Sequence, residues 1–253
     1  MDFTGFLGND AVKARLSGAF ASGRVAHSYL LCGPAGSGKH MLTRILSAAM
    51  QCEGRSGKIP CGVCSGCRKA LEGVHPDIIT VDDPDHKAMT VDPIRAARSD
   101  MFIRPNEGKR KIYIIPRGQD MNESAQNALL KILEEPPEHL LFILATTELH
   151  KVPATILSRC QRFAFRRIVP EDIVGRLNYI AYQESIELEP DAAAFLARLA
   201  DGGLRDAVSL LDQCASAAQG AVTVDEACKV LGLAGARQTA ALMEAVGRHD
   251  AAA

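Results

Sequence analysis

The segment HSYLLCGPAGSGKH at 27–40 restricts the fold of this chain more than any other stretch. A short apolar run over 28–33 ends in glycine, a glycine-rich turn follows, and helical spacing resumes over 41–50. Residues 33–40 satisfy the pattern G-x-x-x-x-G-K. Gly33, Gly36 and Gly38 allow consecutive backbone N–H groups, Ser37 among them, to turn inward around phosphate oxygens. Lys39 adds a positive charge, and the next helix contributes the positive end of its dipole. Strand, phosphate-binding turn and helix in that order predict a nucleotide-binding unit, with ATP or ADP as its ligand.

The same rhythm continues. Strands are expected over 77–82, 109–116 and 140–147, and helices over 10–22, 91–102 and 121–135. Asp92 and Pro93 open the second of these helices, and Pro136–Pro137 close the third. The segment 140–147 is apolar almost throughout, as in a parallel strand covered on both faces. Residues 1–165 therefore predict an α/β domain with a parallel sheet. After 162–170 the pattern changes to successive helices, 171–183, 190–200, 204–218 and 223–232. They predict a small all-helical domain over 166–232, with 233–253 as the start of a further, truncated one.

Two positions weaken the chemistry of the phosphate loop. His40 stands where a Ser or Thr hydroxyl would hold Mg²⁺, a hard cation that prefers oxygen. The third strand runs into Pro116 and Arg117, where a metal-holding Asp and a water-orienting Glu are expected, and the next carboxylate is Asp120. Phosphoryl transfer depends on both groups, so intrinsic hydrolysis is expected to be very weak or absent.

Eight cysteines fall into two classes. Cys52, Cys61, Cys64 and Cys67 lie within a short, glycine-rich stretch and can supply four thiolates to one tetrahedral Zn²⁺ of structural role. An iron–sulfur cluster and free thiols are the weaker alternatives, since 68–74 lacks the cysteine that would complete a ferredoxin run, and His75 is a spare ligand. Cys32, Cys160, Cys214 and Cys228 sit among apolar neighbours and read as small buried hydrophobes.

A net charge of -1 and 23% charged residues argue against a chain that binds polyanions over its whole surface. The basic run Arg104, Lys109, Arg110 and Lys111 is a local exception, either a solvated strand flank or a contact for DNA or partners. No apolar run is long enough to span a membrane and the first residues lack a basic, then apolar leader, so a cytoplasmic location is expected.

Taken with the cysteine cluster, the segments 27–40, AQNALLKILEEPPEHLLFILATTELHKVPATILSRCQRFAF (125–165) and GGLRDAVSLLDQ (202–213) resemble the bacterial clamp-loader subunits of DNA polymerase III. These are a branch of the AAA+ ATPases. The resemblance implies a P-loop domain with a zinc-knuckle insertion at 52–67, a helical lid, and a collar domain beginning at 233–253. It assigns Thr147 to a sensor near the γ-phosphate and Arg159 to an arginine finger acting on a neighbouring subunit's nucleotide. Arg205 takes the place of a lid arginine, and Leu7 and Gly8 line the adenine pocket. His40 and Pro116–Arg117 fit the silent delta-prime kind, whereas the intact G-x-x-x-x-G-K and GLRD motifs look more like the gamma/tau motor. Implied partners are gamma/tau and delta subunits, the sliding clamp and, through the assembly, primer–template DNA, with the isolated chain monomeric. The alternatives are an independent P-loop ATPase and a zinc-knuckle interaction module.

Overall fold

The computed structural model describes residues 1–54, 57–84, 86, 88–218 and 220–233, so the expected start of a collar domain lies outside the described residues apart from Leu233. The chain divides into two compact units, Met1–Arg166 and Arg167–Ala253.

Unit one is built on five parallel strands, β1 (Ser28–Cys32), β2 (Ile78–Thr80), β3 (Lys111–Ile115), β4 (Leu140–Thr146) and β5 (Gln161–Ala164). Their spatial order is β2-β3-β4-β1-β5. α1 (Asp10–Ala21) precedes the first strand; the crossovers that parallel strands need run through α2 (Lys39–Gln51) and α3 (Ser65–Glu72), α4 (Asp92–Met101), α5 (Glu123–Glu134) and the short α6 (Ala154–Leu157). β4 sits at the centre, Phe142 opposite Ser28 of β1 and Leu140 opposite Lys111 of β3.

Period-two alternation divides the central strands between two apolar layers. Leu140, Phe142 and Leu144 join Leu30, Tyr113 and the α5 residues Leu129 and Ile132 on one face. Leu141 and Ile143 join Tyr29, Leu31, Leu16 of α1 and Leu42 and Leu46 of α2 on the other. All seven β4 residues are buried, each large apolar side chain worth about 1.5–3 kcal/mol on removal from water.

Unit two contains α7 (Pro170–Gln183), α8 (Pro190–Leu199), α9 (Leu204–Ala217) and α10 (Val224–Val230). They bury Ile173, Leu177, Leu196, Leu211 and Ala227 in one core. Prolines in the first turn of α7 and α8 supply a preset φ where no N–H donor is needed.

Three elements were not expected from the sequence: α3, α6 and β5. Each is too short for its period to stand out, eight, four and four residues respectively. The basic run is a solvated flank only in part, with Arg104 and Lys109 exposed. Lys111 is only 1% exposed. Its ammonium donates to Asp100 Oδ1 at 2.6 Å and to Asp100 O at 3.0 Å. The Lys109 ammonium donates to Cys52 O at 2.5 Å, and the Arg110 guanidinium to Glu138 O at 3.2 Å.

The loop leading into β3 is held by Asp77, which is fully buried. Its carboxylate accepts from the backbone N–H groups of Asn106 (2.6 Å), Glu107 (3.0 Å) and Gly108 (2.7 Å), and from the Asn106 amide (3.1 Å). Burial alone would raise its pKa, but the three backbone donors together with nearby His75 hold it below the usual carboxylate value. Asp77→Ala orphans these donors and is expected to cost about 3 kcal/mol in denaturant melts. Because the folded-state pKa is lowered, the wild-type advantage is complete above the ordinary carboxylate range and disappears as pH falls through Asp77's own value.

Candidate functional site

The glycine-rich loop leaves the C-terminal edge of the sheet and enters α2. At Gly33 an added Cβ would come within 2.7 Å of Phe165, and at Gly38 (φ 93°) within 2.8 Å of the Phe6 ring. Both positions therefore demand glycine. Phe6 and Phe165 meet edge to face at 6.1 Å, walling the loop and bringing Leu7 and Gly8 alongside it through the chain. Gly33 N–H donates to Thr146 O at 3.2 Å, locking the loop entrance to the end of β4. Thr147 thus emerges at the same edge, where its N–H donates to Gln119 Oε1 at 3.3 Å.

Within the loop, the Ser37 hydroxyl donates to Pro34 O at 2.8 Å. The Lys39 ammonium donates to Gly33 O at 2.7 Å and Pro34 O at 2.5 Å, loop carbonyls whose place at the ammonium a phosphate oxygen would have to take. Burial lowers the Lys39 pKa, the cost of keeping that charge largely out of water. Gly36 has φ 70°, and His40 is exposed in the first turn of α2.

Two strand spacings away, about 10 Å across the sheet, the exit of β3 carries Pro116 and Arg117. The Arg117 guanidinium donates to Asp82 Oδ1 at 2.9 Å and Asp83 O at 2.6 Å, and lies 3.7 Å from Asp120 Oδ2. Hydrogen bonds from His86 and Thr90 depress the pKa of Asp83 to about 2. The carboxylates Asp82 and Asp120 at this edge are thus engaged by a guanidinium, which raises the Arg117 pKa in turn.

Arg159 lies at the other end of the sheet, just before β5. Ser28, the first residue of β1, donates its hydroxyl to Arg159 O at 2.5 Å. The phosphate loop begins beyond the far end of that strand, about 16 Å away at 3.3 Å per residue. The Arg159 guanidinium donates to Thr155 O at 2.8 Å and pairs with Glu134 Oε1 at 2.9 Å on the partly exposed surface. The fold thus groups the loop, Phe6 and Thr147, and sets Arg159 apart. Arg205 belongs to the second unit, exposed in the first turn of α9.

The four clustered cysteines converge, their Sγ atoms all within 4.8 Å of one another and those of Cys61 and Cys67 3.9 Å apart. Zn–S bonds of about 2.3 Å in a tetrahedron put sulfurs about 3.8 Å apart, so the set fits Zn²⁺. Backbone N–H groups already point at the sulfurs, from Gly54 and Cys61 to Cys52 (both 3.3 Å), from Cys64 to Cys61 (3.4 Å) and from Cys67 to Cys64 (3.4 Å). The N–H of Cys64 leads the interactions that bring the Cys61 pKa down to about 6, favouring thiolate. Burial pushes Cys67 the other way. His75 is not in the cluster; its Nδ1 accepts from Asp77 N–H at 3.1 Å. Cys32, Cys160, Cys214 and Cys228 are buried as free thiols outside the cluster.

The family described as "DNA polymerase III, delta subunit" matches residues 8–169, and "DNA polymerase III clamp loader subunit, ATPase lid domain" matches 172–220. DNA polymerase III subunit tau of Bacillus subtilis is 40% identical over 91% of this chain and 40% of its own length. Subunit tau of Escherichia coli is 37% identical over 96% of this chain and 38% of its own. Subunit gamma of Buchnera aphidicola from Acyrthosiphon pisum is 32% identical over 98% of this chain and 68% of its own. The chain therefore spans about two fifths of the length of the first two. Among solved structures, the Thermotoga maritima RuvB Holliday junction branch migration motor superposes with a TM-score of 0.63 at 17% identity, covering 91% of this chain and 71% of that one. That likeness is one of fold, a parallel sheet with helices followed by a helical unit. No helix among the described residues is long and apolar enough to cross a membrane.

The purified chain is expected to contain one Zn²⁺, measured by atomic absorption, and to give a tetrahedral tetrathiolate spectrum when Co²⁺ replaces it. Cys64→Ser should lower the metal content and the melting temperature together.

Proposed function

The chain belongs to the DNA polymerase III clamp-loader family of AAA+ proteins, and on that premise we propose that it serves as the hydrolytically silent, arginine-donating member, the delta-prime kind. The observation that carries this reading is the division between the two sheet edges. At the exit edge Arg117 stands in place of a carboxylate pair and engages Asp82 and Asp120, and His40 offers no hydroxyl. At the entry edge Arg159 lies too far from its own loop to serve it and is partly exposed for use by a neighbour.

The Arg159–Glu134 pair is worth about 0–1 kcal/mol at such a surface, so releasing the guanidinium costs little. A guanidinium supplied in trans to a nucleotide accelerates phosphoryl transfer by about 10³–10⁵. The gain far exceeds the cost.

In this reading, ATP or ADP binds without efficient hydrolysis. Gly33, Gly36, Ser37, Gly38 and Lys39 hold the phosphates, and His40 flanks them. Leu7 and Gly8 line the base, while Thr147 reports on the phosphates. Zn²⁺ on Cys52, Cys61, Cys64 and Cys67 closes the knuckle inside an AAA+ domain of 1–165. A lid follows at 166–232. Partners are gamma/tau and delta subunits, the sliding clamp and primer–template DNA in DNA replication.

A gamma/tau-type motor is the second reading, favoured because the relatives at 32–40% identity are named tau or gamma. The two separate in a reconstituted loader. Arg159→Ala is expected to slow ATP turnover at the neighbouring site by about 10³, and Arg159→Lys not to restore it, since ammonium lacks the planar fork. Lys39→Ala should leave turnover unchanged. Loss of turnover in Lys39→Ala instead makes the chain a motor.

A further inference from the structure

Residues Asp2 to Phe6 form a strap between the cysteine knuckle and the phosphate loop. At the knuckle end, the Asp2 N–H donates to Ile59 O at 2.7 Å, and the Lys58 ammonium lies 3.9 Å from Asp2 Oδ2. Ile59 stands two residues before Cys61, whose N–H donates to Cys52 Sγ at 3.3 Å. Asp2 Oδ1 accepts from the Thr4 N–H at 3.0 Å and from its hydroxyl at 2.6 Å, and Phe6 N–H donates to Phe3 O at 2.9 Å. These bonds fold the strap back on itself. Gly5 then passes the first turn of α2, where an added Cβ would lie 3.1 Å from Met41 Cε. At the far end Phe6 packs against Gly38 of the loop.

The two ends are held by different forces. Phe6 is buried in one apolar layer with Leu16, Leu42 and Phe165. At the knuckle end, a groove of about 360 Å³ separates the strap from Phe20 of α1 and from Gly57 and Lys58, and Ile59 is itself exposed. Polar contacts rather than close packing fix that end, the Asp2–Ile59 bond and a longer one of 3.3 Å from Met1 N to the Ser17 hydroxyl. The position of the Ile59 carbonyl follows that of Cys61, and a metal held by Cys52 and Cys61 sets it.

We propose that the knuckle positions this strap against the phosphate loop, so that zinc and nucleotide bind cooperatively. The inference rests on the reading that the loop takes ATP or ADP. With zinc bound, the strap and the Phe6 wall are already in place, and nucleotide binding loses less freedom in ordering them. Linkage makes the effect mutual, so bound nucleotide tightens zinc by the same factor. A knuckle that only closed its own loop would leave the nucleotide affinity of the folded chain unchanged.

The test is a calorimetric titration of ADP into the purified chain, loaded with Zn²⁺ or stripped by a chelator. Stripping is expected to weaken ADP binding by about fivefold or more, the usual range of coupling between two sites. Saturating ADP should lower the zinc dissociation constant by the same factor, read with a chromophoric chelator. Lys58→Glu guards against unfolding of the stripped chain, because it sets a carboxylate against Asp2 while sparing every cysteine and the loop. Its zinc content and melting temperature should match the wild type while ADP affinity falls about threefold. That loss should shrink in high salt and be absent in Lys58→Arg. Equal ADP affinity with and without zinc, or in Lys58→Glu and the wild type, overturns the proposal and leaves the nucleotide reading standing. Absence of ADP binding by the zinc-loaded chain overturns both.

Discussion

Everything that positions the site depends on the burial of β4 between two helical layers. Its seven residues lie out of water, alternately facing α5 and the α1–α2 pair, and its backbone pairs with β1 and β3 on both sides. A strand held on four sides has little freedom to shift register, because a one-residue slip would exchange its two faces. The phosphate loop inherits that rigidity through the bond from Gly33 N–H to Thr146 O. Thr147 does too, one residue further on. The loop is therefore positioned by apolar packing that never touches a ligand.

The knuckle depends on the same helix that bears the loop. Cys67 Sγ contacts Ala48 O, and Gln51 takes the N–H groups of Lys109 and Arg110 on its amide oxygen, so the end of α2 anchors both the cysteine cluster and the start of β3. With Asp77 holding Asn106 to Gly108, two buried polar side chains hold the whole approach to β3. Lys111 extends the arrangement with a buried charge matched by Asp100. Such groups cost free energy unless every donor is met, which makes this corner sensitive to single substitutions.

The parallel sheet was legible in the runs 28–33, 109–116 and 140–147, and the helical unit in the spacing after 170, because strong periodicity and proline stops survive any packing. The cysteine spacing likewise announced one four-sulfur centre, and the separate burial of His75 fits a complete shell. β5 escaped notice because four residues carry little signal, although the alternation of Phe163 and Phe165 with Arg162, Ala164 and Arg166 through and just beyond it was there to read. The role of Arg117 was visible only as a missing carboxylate. That its guanidinium would engage Asp82, thirty-five positions earlier, was not.

Local chemistry determined the fold class, the loop, the clustered cysteines and the presence of His40 and Pro116–Arg117 at the loop and the β3 exit, since each rests on residue types at short fixed spacings. Tertiary structure alone decided which charges are free. It buried Lys111, and it brought Lys109 and Arg110 against the backbone carbonyls of Cys52 and Glu138. It also set Arg159 at the end of the sheet opposite the loop. A charge is spent or available according to what lies within a few ångströms of it, and the partners that engage Lys111, Arg110 and Lys109 stand 11, 28 and 57 positions away in sequence.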